Sequence, residues 1–123
     1  MDLYRFGKEI GKEITHYESN FIMSQITEVN QIVKISCMYL GADGRIGYHQ
    51  ATVPQLLLVI HGQGYVRNEE KEYIDVKSGD AVFFNKGEWH ETNTITGMTA
   101  IVIEAEELNP ELHMPLKNGK YIL

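Results

Sequence analysis

The chain has 123 residues, 43% of them hydrophobic and 23% charged, with a formal charge of −6. That length sets one domain of ordinary globular composition, large enough to bury a core without disulfide or metal staples. The acidic balance disfavours nucleic acid and anionic membrane surfaces as partners, because both reward clustered positive charge.

A single cysteine, Cys37, excludes an internal disulfide and any multi-cysteine zinc site. Met1-Asp2-Leu3-Tyr4-Arg5 lacks the basic-then-apolar build of a secretory signal. The longest apolar run, Leu56 to Ile60, has five residues, where a membrane helix needs about twenty. A soluble, cytoplasmic protein is expected.

In chain order, Ile32 to Leu40 is the first clear strand, and its all-apolar odd face of Val33, Ile35, Cys37 and Tyr39 is expected to face the core. Leu56 to Ile60 precedes a turn signal at Gly62-Gln63-Gly64, and Tyr65 to Arg67 precedes Asn68-Glu69-Glu70. Further strands are expected at Tyr73 to Val76, Ala81 to Phe84 and Met98 to Ile103. Short strands with turns every eight to twelve residues read as an all-β sandwich or barrel. The barrel core is expected over about 14–105, with residues 106–123 a tail or short helix, and all of 1–123 one domain.

Two stretches carry chemistry-bearing residues: Gly47-Tyr48-His49-Gln50-Ala51-Thr52-Val53-Pro54-Gln55, and Gly79 to Asn93 with Asn85-Lys86-Gly87-Glu88-Trp89-His90 inside it. Here the sequence resembles the cupin superfamily, small jelly-roll barrels with two short motifs. The family's first motif reads Gly-x5-His-x-His-x3-4-Glu-x6-Gly, and its second Gly-x5-Pro-x-Gly-x2-His-x3-Asn. His49 takes the first histidine position, Ala51 the second, Gln55 the glutamate position, and Gly62 closes the motif. In the second, Gly79, Gly87 and His90 match, while Asn85 and Thr94 replace Pro and Asn. The two motifs together span about two fifths of the chain.

The resemblance implies an all-β double-stranded β-helix, or jelly roll, and a site where three imidazoles and a carboxylate hold a divalent metal. In this chain the expected set shrinks to His49, Gln55 and His90, beside the gap at Ala51. Two imidazoles and an amide oxygen suit Zn, Ni, Fe or Mn, more weakly than a set with a carboxylate. The alternative is a metal-free pocket, as in many family members, with the same side chains holding a small organic ligand. Tyr39 and Tyr48 are candidates for the barrel mouth. The expected function is small-molecule binding, with a metal-dependent enzyme (isomerase, decarboxylase or dioxygenase type) and an effector-sensing module without its own DNA-binding part as alternatives.

Other residues take plainer expectations. Cys37 reads as a small buried hydrophobe, and His61 as a rim or solvent residue. His16 and His113 read as surface residues, and Glu104, Glu106 and Glu107 as a solvated acidic face. A homodimer is expected, with Phe21-Ile22-Met23 and Trp89 as candidates for burial between subunits.

Overall fold

The computed structural model describes residues 1–117. Ten strands appear among the described residues: β1 (Asp2–Arg5), β2 (Lys12–Ile14), β3 (Phe21–Met23), β4 (Lys34–Leu40), β5 (Arg45–Gln50), β6 (Gln55–Arg67), β7 (Ile74–Lys77), β8 (Asp80–Phe84), β9 (Trp89–Asn93) and β10 (Met98–Glu104). One sheet runs in the order β1-β8-β6-β10-β4, and the far half of β6 joins a second, with β5 beside β9, β9 beside β6 and β6 beside β7. The pairings across both sheets are antiparallel. β2 and β3 form a separate hairpin. This is the all-β jelly roll that the sequence implies. Among the described residues no helix is long and apolar enough to cross a membrane.

β6 corrects one expectation. Its thirteen residues run straight through Gly62-Gln63-Gly64, where a chain reversal was expected. The register against β10 slips by one residue near Ile60, and Gly62 adopts φ +85°. This bulge redirects the strand from one sheet into the other without ending it. Gly62 is required there, since a Cβ would lie 2.3 Å from the carbonyl oxygen of Gly97.

Alternation along the strands sorts side chains into two apolar layers. Leu57, Val59, Val66, Val76, Val82, Phe84, Met98, Ala100 and Val102 fill the space between the sheets, with Met38 and Leu40 against them. Leu56, Leu58 and Ala81 point the other way, under Tyr4 and Met114, with Phe6, Ile26, Leu108 and Leu116 alongside. The terminal segments thus cover part of the outer face. β1 also belongs to the barrel sheet, which starts well before residue 14. The tail holds a 3-10 turn at Pro110–Leu112, and Leu116 bridges to Tyr4; 118–123 lie outside the described residues.

The parity of β4 is the second correction. Even residues, Met38 and Leu40, reach the core, so Ile35, Cys37 and Tyr39 look outward. Ile35 is 60% and Tyr39 81% exposed, and Cys37 is exposed rather than buried. The odd face is wholly apolar whereas the even face carries Lys34 and Ser36, so the pattern pointed to the wrong face; Met38 and Leu40 supply the larger flexible side chains that fill the interior.

A buried carboxylate ties the ends together. Asp80, fully buried, accepts hydrogen bonds from Arg5 Nη1 (3.1 Å), Lys117 Nζ (2.9 Å) and the Lys77 backbone N–H (2.9 Å).

Candidate functional site

His49 and His90 are directly opposed across β5 and β9, and their ring centroids lie 4.4 Å apart. A bulge produces this. Ile46 pairs with Thr92 and His49 with His90, so one extra residue is accommodated around Gly47 and Tyr48. Without it, strict alternation would send His49 to the opposite face from Ile46.

His90 is 3% exposed and stacks on Phe84 of β8, centroids 3.9 Å apart and planes 25° apart. Neither of its ring nitrogens has a hydrogen-bond partner. Burial, and then the neighbouring His49, push its pKa down to about 4. At neutral pH it is therefore an uncharged imidazole, offering one N–H donor and one lone pair. His49 is fixed differently: its Nδ1 donates to the Gly47 carbonyl at 2.6 Å.

Gln55 is buried at the start of β6, in register with Phe84 on one side and Glu104 on the other. Its Nε2 donates to Glu104 Oε1 at 3.0 Å. Glu104 shares the inward parity of Met98, Ala100 and Val102, and Lys34 Nζ lies 3.9 Å from its other oxygen. Glu104 is thus a strand residue facing the same end of the barrel, and not a member of a solvated acidic face. The signal was present: its parity on β10 matches that of three core residues. Phe84, the platform under His90, was likewise readable only as core.

Ala51 is 1% exposed, and its backbone pairs with Glu88 O and Gly87 N, which pins the β5–β6 turn against the β8–β9 turn. Glu88 stands at this junction. It accepts from the Met1 ammonium, Asn68 Nδ2 and the Asn85 N–H. Burial alone would raise its carboxyl, but these three bonds hold it below the ordinary range.

Tyr39 and Tyr48 do not line the mouth. Tyr39 points away from the core layer, and Tyr48 stacks outside on Trp89, centroids 5.3 Å apart. The Arg67 guanidinium lies 4.3 Å above the Tyr48 ring and donates to Glu91 Oε1, which also accepts from Tyr73. Trp89 and Glu91 therefore point away from His90, as alternation requires. His61 is exposed, as expected, and so is His16. A cavity of about 360 Å³ between β6, β7 and the β9–β10 turn includes neither His49 nor His90.

The structure brings His49 and His90 together, leaves Ala51 without a donor and ties Gln55 Nε2 to Glu104 Oε1. Among the described residues no three His, Cys, Asp or Glu side chains are grouped to hold a metal. The residues present do not make the family's four-donor set.

No curated protein matches the sequence. Similar solved structures include a cupin superfamily protein from Desulfitobacterium hafniense (14% identity, TM-score 0.58, 69% of this chain and 77% of that one). A protein from Bacillus halodurans gives 20% identity, TM-score 0.57 and 68% of each chain. A predicted oxalate decarboxylase from Thermotoga maritima gives 19% identity, TM-score 0.52, 56% of this chain and 62% of that one. At such identities these likenesses concern the fold. The AraC-like ligand binding domain family matches residues 41–108, more than half of the chain and all of His49, Gln55, His90 and Glu104. The chain is a small cupin and belongs to the AraC-like ligand binding domain family.

Proposed function

We propose that the barrel binds a small, uncharged organic ligand bearing hydroxyl or carbonyl oxygens, at the end lined by His49, His90, Gln55 and Glu104. One observation carries this reading: both nitrogens of a buried, neutral His90 lack a partner. Buried polar atoms are normally satisfied, and a hydroxyl both donates and accepts, which suits an imidazole offering one of each. Gln55 and Glu104 add an amide oxygen and a carboxylate at the same end. A membership in a ligand-binding family supports the same class of role.

The test is a thermal-shift panel of neutral monosaccharides, polyols and hydroxy-ketones, with the bound species confirmed by native mass spectrometry. At least one compound should raise the melting temperature, and His90→Phe should erase that rise while leaving the far-UV spectrum unchanged. A rise that survives His90→Phe sinks the assignment.

The adjacency of two imidazoles favours a second reading, a divalent metal held by His49 and His90 with its other positions filled by ligand or water. Elemental analysis of protein purified without added metal separates the readings, since stoichiometric zinc, nickel, iron or manganese appears only under the second.

A further inference from the structure

The second sheet turns an aromatic face to solvent. The alternation that points His90 and Thr92 inward points Trp89 and Glu91 outward, and Arg67 of β6 lies directly opposite Glu91. With Tyr48 of β5 and Tyr73 just before β7 they make one patch. Tyr48, Trp89 and Tyr73 are 41%, 40% and 49% exposed, although none of them belongs to either core layer. Trp, Tyr and Arg are the residue types that dominate the energetics of binding surfaces.

The rings are held before anything binds. Glu91 Oε1 accepts from Arg67 Nε (3.0 Å) and from the Tyr73 hydroxyl (2.7 Å). The guanidinium so fixed lies 4.3 Å from the Tyr48 ring centre and 5.7 Å from that of Tyr73. Tyr48 in turn stacks on Trp89, whose backbone N–H donates to Glu69 Oε1 at 2.6 Å. A patch held in this way loses little entropy on association. Its hydrogen bonding is one-sided. Among the described residues the Trp89 indole N–H and the Tyr48 hydroxyl donate to nothing, whereas Glu91 Oε1 is already taken twice. The loop beside Trp89 adds charge: Glu69, Glu70, Lys71 and Glu72 are all exposed, and among the described residues no cation pairs with its three carboxylates.

We propose that the outward face of Trp89 and Tyr48 docks a proline-rich segment of a partner protein, its prolines on the rings and a flanking lysine or arginine on the Glu69–Glu72 loop. Hydrogen bonding and charge select this occupant. A proline-rich chain in its extended left-handed helix carries pyrrolidine rings that lie flat on aromatic rings, and carbonyl oxygens that no internal bond uses. Proline has no N–H, so the segment brings acceptors to rings whose free groups are donors. A glycan would bring a donor with every hydroxyl, and Glu91 Oε1 has no place left for one. A nucleic-acid strand would stack as well, but it brings phosphates to an acidic loop. A basic residue beside the prolines meets Glu69 instead, which the hydrogen bond from the Trp89 N–H keeps next to the platform.

Trp89 is the chain's single tryptophan, so its fluorescence reports on this face directly. The probe is a synthetic oligoproline peptide with an arginine at each end, titrated into the full chain. Emission should move to shorter wavelength and saturate, and calorimetry should give the same binding curve. Trp89→Ala and Tyr48→Ala, read by calorimetry, should each weaken binding roughly tenfold with the far-UV spectrum unchanged. Tyr48→Ala carries the test alone where Trp89→Ala does not fold. Glu69→Gln keeps an acceptor for the Trp89 N–H and should weaken binding about threefold. Ile35→Ser, on β4 of the other sheet, should bind as wild type does. An emission spectrum that the peptide leaves unmoved overturns the proposal, as does a folded Trp89→Ala or Tyr48→Ala protein that binds as wild type. An oligoproline peptide ending in glutamates that binds as tightly as the arginine-ended one overturns it too. Saturable binding of cellohexaose in place of the peptide, lost in Tyr48→Ala, overturns it in favour of a glycan.

Discussion

His90 lies flat against Phe84, ring centroids 3.9 Å apart, inside a wall that gives its nitrogens nothing to bond. Burial, and then the neighbouring His49, favour the neutral ring, because protonation would leave a desolvated cation with no hydrogen-bond partner.

That relationship fixes a pH dependence. The folded pKa of His90, about 4, lies below its ordinary value of 6.5. Between these values the unfolded chain binds the extra proton, so stability is complete above pH 6.5 and falls as pH drops towards 4. The full loss is on the order of 3 kcal/mol. Denaturant midpoints measured at pH 7, 5.5 and 4.5 should decline, and His90→Phe should flatten the slope over this window. Glu88 and Glu91, both held below the ordinary carboxylate range, lose their contributions only as pH falls below about 4.5.

Asp80 is the fold's buried anchor, holding Arg5, Lys117 and the Lys77 N–H at once. Asp80→Ala leaves two cations and an N–H without their acceptor. We expect a cost of about 2–4 kcal/mol, discounted for the partial exposure of Arg5 and Lys117. Urea unfolding should show it as a lowered midpoint at constant m-value.

Gln55→Glu should set a carboxylate against Glu104 in place of the amide donor and destabilise the barrel at pH 7 by about 1–3 kcal/mol. Adding Ala51→His brings the donors closer to the cupin set. If positions 49, 51, 55 and 90 converge, zinc should raise the melting temperature of the double variant more than that of wild type, and His90→Ala should remove the gain. Equal zinc shifts in a well-folded double variant would show that they do not converge.

Gly62→Ala forces a Cβ onto the Gly97 carbonyl at a residue with φ +85°. A loss of about 1–3 kcal/mol is expected in chemical denaturation. The same change at Gly41, which has open space around its Cβ position, should be nearly silent.

The strand content and the jelly roll were legible because alternation and turn glycines repeat along the chain, and because Gly62, Gly79, Gly87 and His90 keep the family's spacing. What was not legible depended on contacts between distant residues. Locally the odd face of Ile35 to Leu40 is the more uniformly apolar, since the even one carries Ser36, so alternation alone points to the face that the structure turns outward. Gly62-Gln63-Gly64 looks like a turn until the bulge against β10 is seen. For the candidate site, the two histidines were visible in the motif, whereas Glu104 reaches Gln55 only because β6 and β10 pair across forty-nine residues. The outward stack of Tyr48 and Trp89 with the Arg67 guanidinium over it likewise needs three strands to assemble.

β6 is hydrogen-bonded to β8 and β10 along its first half and to β7 and β9 along its second. Neither sheet can therefore open by itself while the other stays closed, because each would have to release half of one continuous strand. Amide protons on the two halves, for instance those of Leu58 and Val66, should exchange with solvent at a single common free energy, the mark of one cooperative unit. The partners of β6 are also far apart in sequence, so few contacts form before the whole strand is embraced, and folding should be slow for a chain of this length.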